Sequence, residues 1–206
     1  MFKKAVFVFL LVFGVMGLSQ AESTSYEQLS PPQPTQNPDK VEVIEFFWYG
    51  CPHCYHFEPM LEAWLKNKPE NVDFIRQPAV FSKLWALHAK AYYTAEALGV
   101  LDKVHADFFD TIQNKRQKLV DKDELAEFFA QHGVDKADFE AAYDSFLVDA
   151  KLRQARAMAP RYGVSGVPTI IVNGKYKITA RLAGSQENMI KVMNDLIKRE
   201  SKSAAD

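Results

Sequence analysis

The sequence has no excess of charge of either sign and no apolar run long enough to cross a membrane. Its 206 residues include 25 Lys and Arg against 26 Asp and Glu, a net charge of -1. Proteins that bind nucleic acid present a basic surface to the phosphates, so this balance argues against nucleic acid as a partner. With 48% hydrophobic residues, the chain is predicted to be globular with a sizeable core.

The apolar run at the start of the chain has the pattern of a secretory signal peptide. Lys3 and Lys4 precede an uncharged run at 5–18, and Ser19-Gln20-Ala21 supply the small residues of a cleavage site. The alternative is an uncleaved anchor, but the run falls short of the roughly 20 residues of a spanning helix. We therefore expect cleavage after Ala21. Loss of the two lysines takes the net charge from -1 to -3.

Cysteine is scarce, and this scarcity is informative. The chain has two cysteines, Cys51 and Cys54, separated by Pro52 and His53. An exported protein meets conditions in which disulfides persist. A structural disulfide stabilises a fold by closing a loop of the unfolded chain, and a loop this small contributes little. The pair is therefore predicted to be redox-active rather than structural.

The pair lies where a strand is predicted to give way to a helix. Residues 41–48 are rich in β-prone apolar residues, and residues 54–66 have helical spacing. Unpaired backbone N–H groups at a helix start favour a thiolate. Cys51 is thus expected to be the exposed nucleophile and Cys54, one turn later, the more buried thiol. Pro52 suits a helix start, and His53 can offer Cys51 a hydrogen bond or a positive charge.

Glu45 is the unusual residue of the predicted strand. Alternation places it on one face with Val43 and Phe47. Its carboxylate is either at a solvated margin or buried. Burial would raise its pKa and make it a possible proton carrier. The pattern alone leaves both alternatives open.

The remaining pattern indicates an α/β layer interrupted by helices. A proline-rich lead-in at 22–40, held by Tyr26 and Leu29, precedes the first strand, and a second strand is predicted at 71–80. Hairpin strands are expected at 168–172 and 175–178 around Asn173-Gly174. Helical spacing and end signals predict helices at 84–98, 102–118, 121–131, 136–148, 150–162 and about 186–199.

Several motifs can be matched together. They are Glu45 to Glu58, which contains Cys-Pro-His-Cys, Gly-Val-Pro-Thr at 166–169, Val-Asn-Gly-Lys-Tyr at 172–176, and the helical block. In combination they resemble the DsbA family of periplasmic thiol:disulfide interchange proteins. The resemblance implies a thioredoxin fold interrupted by an all-helical inserted domain. It assigns 41–81 and 150–200 to the thioredoxin-like domain and 82–149 to the insert, after a signal peptide (1–21) and lead-in (22–40) and before a tail (201–206).

The resemblance also implies a site. Pro168 would be a cis-proline that faces the cysteines, although trans is the common default. A proline at the start of a strand leaves the backbone of Val167 free to pair with an extended substrate, with Thr169 beside it. Glu45 matches the family's buried acid and would exchange protons with Cys54.

The implied reaction starts from a disulfide between Cys51 and Cys54 and needs no cofactor or metal. A thiol of an unfolded exported protein would form a mixed disulfide at Cys51, and a second thiol would release the oxidised substrate. A DsbB-type, quinone-linked membrane partner would reoxidise the pair. The protein is expected to be a periplasmic monomer.

Three other functions are weighed against this one. Four possible metal ligands share one short segment, namely Cys51, His53, Cys54 and His56. Neighbours on one short helix cannot easily converge as four tetrahedral ligands. A reductase or isomerase of the same fold would keep its thiols reduced, but no separate dimerisation domain is evident. A chaperone-like protein would bind unfolded chains, with redox chemistry secondary.

The signal-peptide prediction can be tested by intact-mass spectrometry of the exported protein. The expected mass is that of the chain from Glu22 onward, because a short apolar run after two lysines is typical of a removed segment. A mass that still includes Met1 to Ala21 would contradict the prediction.

Overall fold

The computed structural model describes residues 25–203 of the chain. The predicted signal peptide and its cleavage site after Ala21 lie outside the described residues. Within the described part, no helix is both long and apolar enough to cross a membrane.

The strands form one mixed sheet with the order β1-β5-β4-β2-β3. Their bounds are β1 Glu27–Gln28, β2 Val41–Phe47, β3 Val72–Pro78, β4 Thr169–Val172 and β5 Tyr176–Thr179. Strands β2 and β3 are parallel, whereas β2 with β4, β4 with β5 and β1 with β5 are antiparallel. Strand β2 is buried along its whole length, as its nearly continuous apolar run predicts.

The helices lie between and after these strands. Their bounds are α1 Pro52–Leu65, α2 Lys83–Ala97, α3 Leu101–Gln113, α4 Lys122–Gln131, α5 Lys136–Tyr143, α6 Phe146–Arg161, α7 Ala180–Ala183 and α8 Gln186–Ser203. Helices α2 to α6 interrupt the chain between β3 and β4. The predicted order of strand, helix, strand, helical block, hairpin and helix is therefore confirmed.

Three clusters of buried side chains fill the space around the sheet. On one face of β2, Ile44 and Phe46 pack with residues of α6 such as Met158 and Ala159. On the other face, Val43 packs with residues of α1 and α8. At the end of β2, Phe47 belongs to a third cluster, which is formed largely by helices α2 to α6 and also contains both cysteines. The site thus lies where the sheet meets the helical block.

The helix predicted at 102–118 ends at Gln113 instead. In the loop that follows, Arg116 and Leu119 have φ values of 60° and 49°. The Leu119 side chain is buried, and its carbonyl oxygen accepts a hydrogen bond from Nε2 of His88 at 3.1 Å. A continued helix would use its carbonyl groups internally. Packing against α2 therefore overrides local helix propensity here.

The break between α5 and α6 also differs from its predicted position. The sequence pattern predicts it near residue 149, but it lies at Asp144 and Ser145. The Ser145 hydroxyl accepts a hydrogen bond from the backbone N–H of Val148 at 3.2 Å, which is a strong helix-start signal. Helix α8 continues to Ser203, beyond its predicted end at Arg199.

The lead-in contains a short strand that was not predicted. Strand β1 pairs with β5, and the Tyr26 ring packs edge-on against Tyr176 with centroids 5.4 Å apart. Leu29 is buried. The expectation that Tyr26 and Leu29 hold the lead-in is confirmed. Helix α7 is the other element with no predicted counterpart.

The hairpin turn and the lead-in approach each other so closely that a side chain at Gly174 is excluded. Gly174 has φ +64°, and an added Cβ would lie 2.0 Å from the carbonyl oxygen of Gln33. We expect Gly174→Ala to lower the free energy of unfolding, measured with urea on the reduced protein, by about 3 kcal/mol, through backbone strain and displacement of the lead-in.

Gly133→Ala is the matched control. Gly133 also has positive φ, +81°, but an added Cβ meets nothing within 4 Å. Its cost is expected to be about 1–2 kcal/mol, from the backbone conformation alone. Equal losses in the two variants would show that the lead-in does not pack tightly on the hairpin.

Candidate active site around Cys51 and Cys54

The two cysteines lie at the first turn of α1. Cys51 is the N-cap residue with extended backbone angles, and Pro52 is the first helical residue, where its missing N–H costs nothing. The backbone N–H of Cys54 donates a hydrogen bond to Sγ of Cys51 at 3.4 Å. The sulfur thus takes the place of a capping oxygen. Both cysteines are free thiols in this structure.

The two thiols differ in burial, but less than predicted. Cys54 is fully buried, and Cys51 is only 8% exposed. The expectation of an exposed Cys51 is wrong, although Cys51 remains the more accessible of the two. The cover comes from the loop before β4, because Sγ of Cys51 donates a hydrogen bond to the carbonyl oxygen of Val167 at 3.5 Å.

The environment separates the acidities of the two thiols. A hydrogen bond from the Cys54 side chain outweighs partial burial and, with backbone N–H groups of Cys54 and His53 and the charge of His53, lowers the pKa of Cys51 to about 6. Burial, reinforced by the neighbouring Cys51, raises the pKa of Cys54 far above its usual range. A single negative charge on the pair therefore resides on Cys51.

His53 acts on Cys51 from an exposed position. Its side chain lies at the surface, so it contributes its charge and its backbone N–H rather than a buried contact. Its carbonyl oxygen accepts a hydrogen bond from Nε2 of Gln186 at 2.6 Å. The start of α8 thereby holds the active-site turn. No sequence pattern singled out Gln186, since it lies 133 residues from His53.

The structure brings the predicted substrate-binding residues beside Cys51. The peptide bond between Val167 and Pro168 is cis. The hydroxyl of Thr169 donates to the carbonyl oxygen of Gly166 at 2.7 Å, which closes the turn before β4. A cleft of about 360 Å³ opens there, and its lining includes His53, Val167, Pro168 and Thr169.

Glu45 is buried and does not lie at a solvated margin of the sheet. It has no exposed surface, and the parallel register of β2 and β3 places it opposite Arg76. Its Oε2 accepts a hydrogen bond from Arg76 at 3.0 Å. Its Oε1 is buried without a hydrogen-bond partner in the described part of the chain. An unsatisfied carboxylate oxygen is costly, and a proton on the carboxyl group relieves that cost.

Arg76 is shared by three carboxyl groups. Besides Glu45 it contacts Glu58 at 2.6 Å and also Glu62. Burial, opposed by the charge of Arg76 and reinforced by the charge of Glu58, raises the pKa of Glu45 to about 8. The charge of Glu45 in turn raises the pKa of the Cys54 thiol. Glu45 and Cys54 are therefore electrostatically coupled.

Part of this cluster could have been found from the sequence. Cys54, Glu58 and Glu62 recur every fourth residue, so they lie on one face of α1. Arg76 is a charged residue within a predicted strand. His105 carries no such signal: it lies on α3, with its Nδ1 2.7 Å from the Tyr49 hydroxyl and its Nε2 3.4 Å from Glu58.

Further contacts join the site to the helical block. Nε2 of Gln113 donates to the carbonyl oxygen of Tyr49 at 2.8 Å, and the Tyr55 hydroxyl donates to Asp110 at 3.4 Å. Tyr49 is buried and Tyr55 is half-buried. Through these contacts the two tyrosines shape the surroundings of the cysteines.

Metal binding was one of the alternative functions. Across residues 25–203, no group of three or more His, Cys, Asp or Glu side chains is placed to hold a metal ion. His56, the fourth of the possible ligands, is exposed on α1.

Comparison with known proteins gives consistent matches. Residues 75–189 match the model of the DSBA-like thioredoxin domain. The chain is 45% identical over 191 residues to the thiol:disulfide interchange protein DsbA of Azotobacter vinelandii, covering 88% of this chain and 89% of that protein. It is 42% identical to the DsbA of Pseudomonas aeruginosa strain PAO1, covering 87% and 85%.

Solved structures agree with these matches. The crystal structure of Pseudomonas aeruginosa DsbA superposes with a TM-score of 0.85 at 41% identity, covering 89% of this chain and 96% of that one. The oxidoreductase DsbA from Xylella fastidiosa gives a TM-score of 0.79 at 35% identity, covering 85% and 95%. The predicted thioredoxin fold is confirmed, and the helices between β3 and β4 are consistent with an insertion.

The acidity of Cys51 can be measured by following thiolate absorbance against pH in the reduced protein. The midpoint is expected at about 6, and His53→Ala should raise it because a positive charge near Sγ is removed. In denaturant the same thiol should titrate at roughly 8.5. If the Cys51 thiol titrates at nearly the same pH in the native protein as in denaturant, the predicted difference in acidity between Cys51 and Cys54 is contradicted.

The same pKa difference predicts how the stability of the reduced protein depends on pH. The folded pKa of Cys51, about 6, lies below its unfolded value. The thiolate therefore contributes its full stabilisation above about pH 8.5, and the contribution is lost as pH falls through about 6. Urea unfolding of the reduced protein should show this loss, and Cys51→Ser should remove that component of the pH dependence.

Proposed function

Because this chain belongs to the DsbA family of thiol:disulfide interchange proteins, we propose that it is an oxidant that donates a Cys51–Cys54 disulfide to exported proteins. Family membership makes it a thiol:disulfide oxidoreductase. The direction of transfer, the order of steps and the partners are the proposal. Its catalytic residues are Cys51, Cys54, His53 and Pro52.

The observation that carries the proposal is the placement of the two sulfurs: Cys51 caps the start of α1 and accepts a backbone N–H, whereas Cys54 is fully buried, which separates their acidities. A protein that stabilises the Cys51 thiolate stabilises its own reduced form, which makes its disulfide easier to reduce; DsbA itself is the standard example of this relation. The helix start, the Cys54 hydrogen bond and His53 all act in that direction. The disulfide should therefore pass from this protein to its substrate.

The first step is attack by a substrate thiolate on Sγ of Cys51. The bond between Cys51 and Cys54 breaks, a mixed disulfide forms at Cys51, and Cys54 leaves as a thiolate. This buried thiolate takes up a proton because its pKa is strongly raised. Glu45 supports proton supply, since its pKa of about 8 keeps it largely protonated at neutral pH.

The second step completes the transfer. Another substrate thiolate attacks the substrate sulfur of the mixed disulfide, the substrate disulfide forms, and Cys51 leaves as its stabilised thiolate. Two substrate thiols have lost two electrons, and the cysteine pair has gained them. The protein needs no other cofactor. Glu45 can be reprotonated through the cluster that Arg76 forms with Glu58 and Glu62. This ion cluster reaches solvent at Glu62, whose side chain is 49% exposed.

The substrate is proposed to lie along the loop before β4. The carbonyl oxygen of Val167 already accepts from Cys51, so an extended chain in a mixed disulfide would run beside it. The cis-proline Pro168 lies directly before β4, where its missing N–H is tolerated. Val167, Pro168 and Thr169 all line the adjacent cleft.

The cycle must be closed by an oxidant. We assign this role to a DsbB-type, quinone-linked membrane partner, which would accept two electrons from the reduced pair. The signal-peptide pattern supports action in the periplasm on unfolded exported proteins with free cysteines. The protein is proposed to act as a monomer.

The direction of transfer can be tested by the redox equilibrium of Cys51 and Cys54 with glutathione, combined with thiol alkylation in intact cells. An oxidant should be found mostly oxidised in the periplasm yet be easily reduced by glutathione in vitro. A strongly reducing equilibrium, or a pair found mostly reduced in cells, would place the protein among the reductases or isomerases.

The roles of the two thiols can be separated by Cys51→Ser and Cys54→Ser. Both variants should lose net oxidation of a reduced unfolded substrate, because neither can hold the internal disulfide. Only Cys54→Ser should form a stable mixed disulfide when mixed with a disulfide-containing protein, because it retains the reactive Cys51 thiolate. The complex would be detected by non-reducing electrophoresis.

Full disulfide formation in exported substrates by Cys51→Ser would overturn the oxidase function. Trapping by Cys51→Ser instead of Cys54→Ser would reverse the assigned roles of the two cysteines.

A further inference from the structure

His105 of α3 is a buried histidine that the proposed reaction does not use. Its ring is surrounded by the aromatic rings of Phe47, Tyr49 and Phe109, with centroids 5.4, 5.2 and 5.3 Å away. Burial lowers the pKa of His105, so the imidazole is neutral at neutral pH. A neutral imidazole has one nitrogen that donates and one that accepts.

The neighbours of His105 select which nitrogen carries the proton. Nε2 lies 3.4 Å from Oε1 of Glu58, and a carboxylate can only accept a hydrogen bond. This contact is longer than an ordinary hydrogen bond, and among residues 25–203 neither Nε2 of His105 nor Oε1 of Glu58 has a hydrogen-bond partner at ordinary geometry, so each is the polar atom that faces the other. With the proton on Nε2, Nδ1 accepts from the Tyr49 hydroxyl, 2.7 Å away. Burial raises the pKa of Tyr49, so this hydroxyl keeps its proton.

The donor groups are therefore arranged in one direction: the Tyr49 hydroxyl donates to Nδ1 of His105, and the N–H at Nε2 of His105 faces Glu58. Burial opposes ionisation of Glu58, but the polar contact with His105 and the charge of Arg76 outweigh it and lower the pKa of Glu58. Glu58 is thus held as a carboxylate. Since Arg76 also contacts Glu45 and Glu62, one positive charge faces three carboxyl groups. The fully buried Glu45 is the one that takes a proton.

We propose that His105 is a positioning residue for proton supply to Cys54: it holds Glu58 as a carboxylate, whose negative charge keeps Glu45 protonated. The inference rests on the proposed proton-carrying role of Glu45. It assigns a part in the redox reaction to the helical block, because His105 is contributed by α3 whereas Glu45, Glu58 and Arg76 belong to the α/β layer.

The groups that face this cluster come from each neighbouring element. They are Glu45 of β2, Tyr49 of the turn after β2, Cys54, Glu58 and Glu62 of α1, Arg76 of β3, Tyr92 of α2 and His105 of α3. Burial raises the pKa of Tyr92 well above its ordinary value, so Tyr92 stays neutral. Proton exchange near neutral pH is therefore concentrated on Glu45.

The wild-type protein provides the first test. Long-range ¹⁵N correlation spectra of the His105 ring should show a neutral imidazole with the proton on Nε2 and none on Nδ1. The opposite tautomer, or a ring charged at neutral pH, would overturn the proposal without any variant being made.

The second test uses two amides that each imitate one ring nitrogen. In His105→Gln the side-chain NH₂ lies about where Nε2 lies, so a donor to Glu58 is retained. In His105→Asn the NH₂ lies about where Nδ1 lies, so the donor to Glu58 is lost. The readout is the Glu45 carboxyl titration, followed by NMR with ¹³C-labelled glutamate.

Wild type and His105→Gln should show Glu45 titrating near 8, and His105→Asn should show it at lower pH, because Glu58 binds the proton in its place. Reduction of the His105→Asn disulfide should slow by about three- to tenfold around pH 8, since a one-unit fall in pKa removes up to tenfold of the protonated form. The same Glu45 midpoint in all three folded proteins would overturn the proposal.

A third variant covers the case in which His105→Asn does not fold. Tyr49→Phe leaves His105 and Glu58 in place but removes the donor that selects the tautomer. It should shift the Glu45 midpoint in the same direction by a smaller amount, and an unchanged midpoint together with an unchanged tautomer would count against the chain of donors.

Failure of this inference can be told apart from failure of the proposed function. The His105 tautomer and the Glu45 midpoint are measured without substrate. The direction of disulfide transfer is measured on the wild type with glutathione. A wild-type Glu45 that titrates at its ordinary acidic pH would remove the proton carrier itself, and the inference with it, but would leave the oxidase function standing.

Discussion

The hydrogen bond from Arg76 to the buried carboxyl group of Glu45 is the interaction on which the chemistry of this site depends. It exists because β2 and β3 pair in a parallel register that sets the two residues opposite each other under α1. A buried ion pair contributes little stability, since desolvation offsets the attraction. The role of Arg76 here is instead to position the Glu45 carboxyl group. One oxygen of Glu45 accepts a hydrogen bond from Arg76, and the other has no hydrogen-bond partner in the described part of the chain. The pKa of this buried carboxyl group is therefore raised to about 8.

Helix α1 connects that carboxyl group to the thiols. Its start provides the backbone N–H groups that stabilise the Cys51 thiolate, and its buried face carries Cys54 and Glu58 one turn apart. One helix therefore creates two opposite environments three residues apart. Sulfur at the helix end is favoured as an anion, whereas sulfur on the buried face is favoured as a thiol. Directional disulfide transfer depends on this difference between the environments of Cys51 and Cys54 more than on either environment alone.

The helical block is joined to the site by specific polar contacts rather than by apolar packing alone. Gln113 holds the backbone of Tyr49, and Asp110 accepts from Tyr55. His105 extends the same connection to the ion cluster through Glu58. Helix α3 thus contacts Tyr49, which precedes α1, and Tyr55 and Glu58, which lie in α1. Through these contacts the insertion defines the shape and the polarity of the region beneath the cysteines.

The sequence by itself determined the cysteine pair at a strand-to-helix junction, the order of the main elements and the candidate residues Glu45, His53 and Pro168. The cysteine pair, the element order, Glu45 and His53 follow from local spacing, propensity and motif, and Pro168 follows from the family resemblance; none of these needs knowledge of distant contacts. The helix end at Gln113 and the break at Ser145 differ from the predicted positions, because a tertiary hydrogen bond from His88 and an N-cap at Ser145 set them. Only the tertiary structure decided that Glu45 is buried, that Cys51 is largely covered by Val167, and that Arg76 and His105 belong to the site. Each of these depends on strand register or on packing between residues far apart in the chain, where burial and charge act through space.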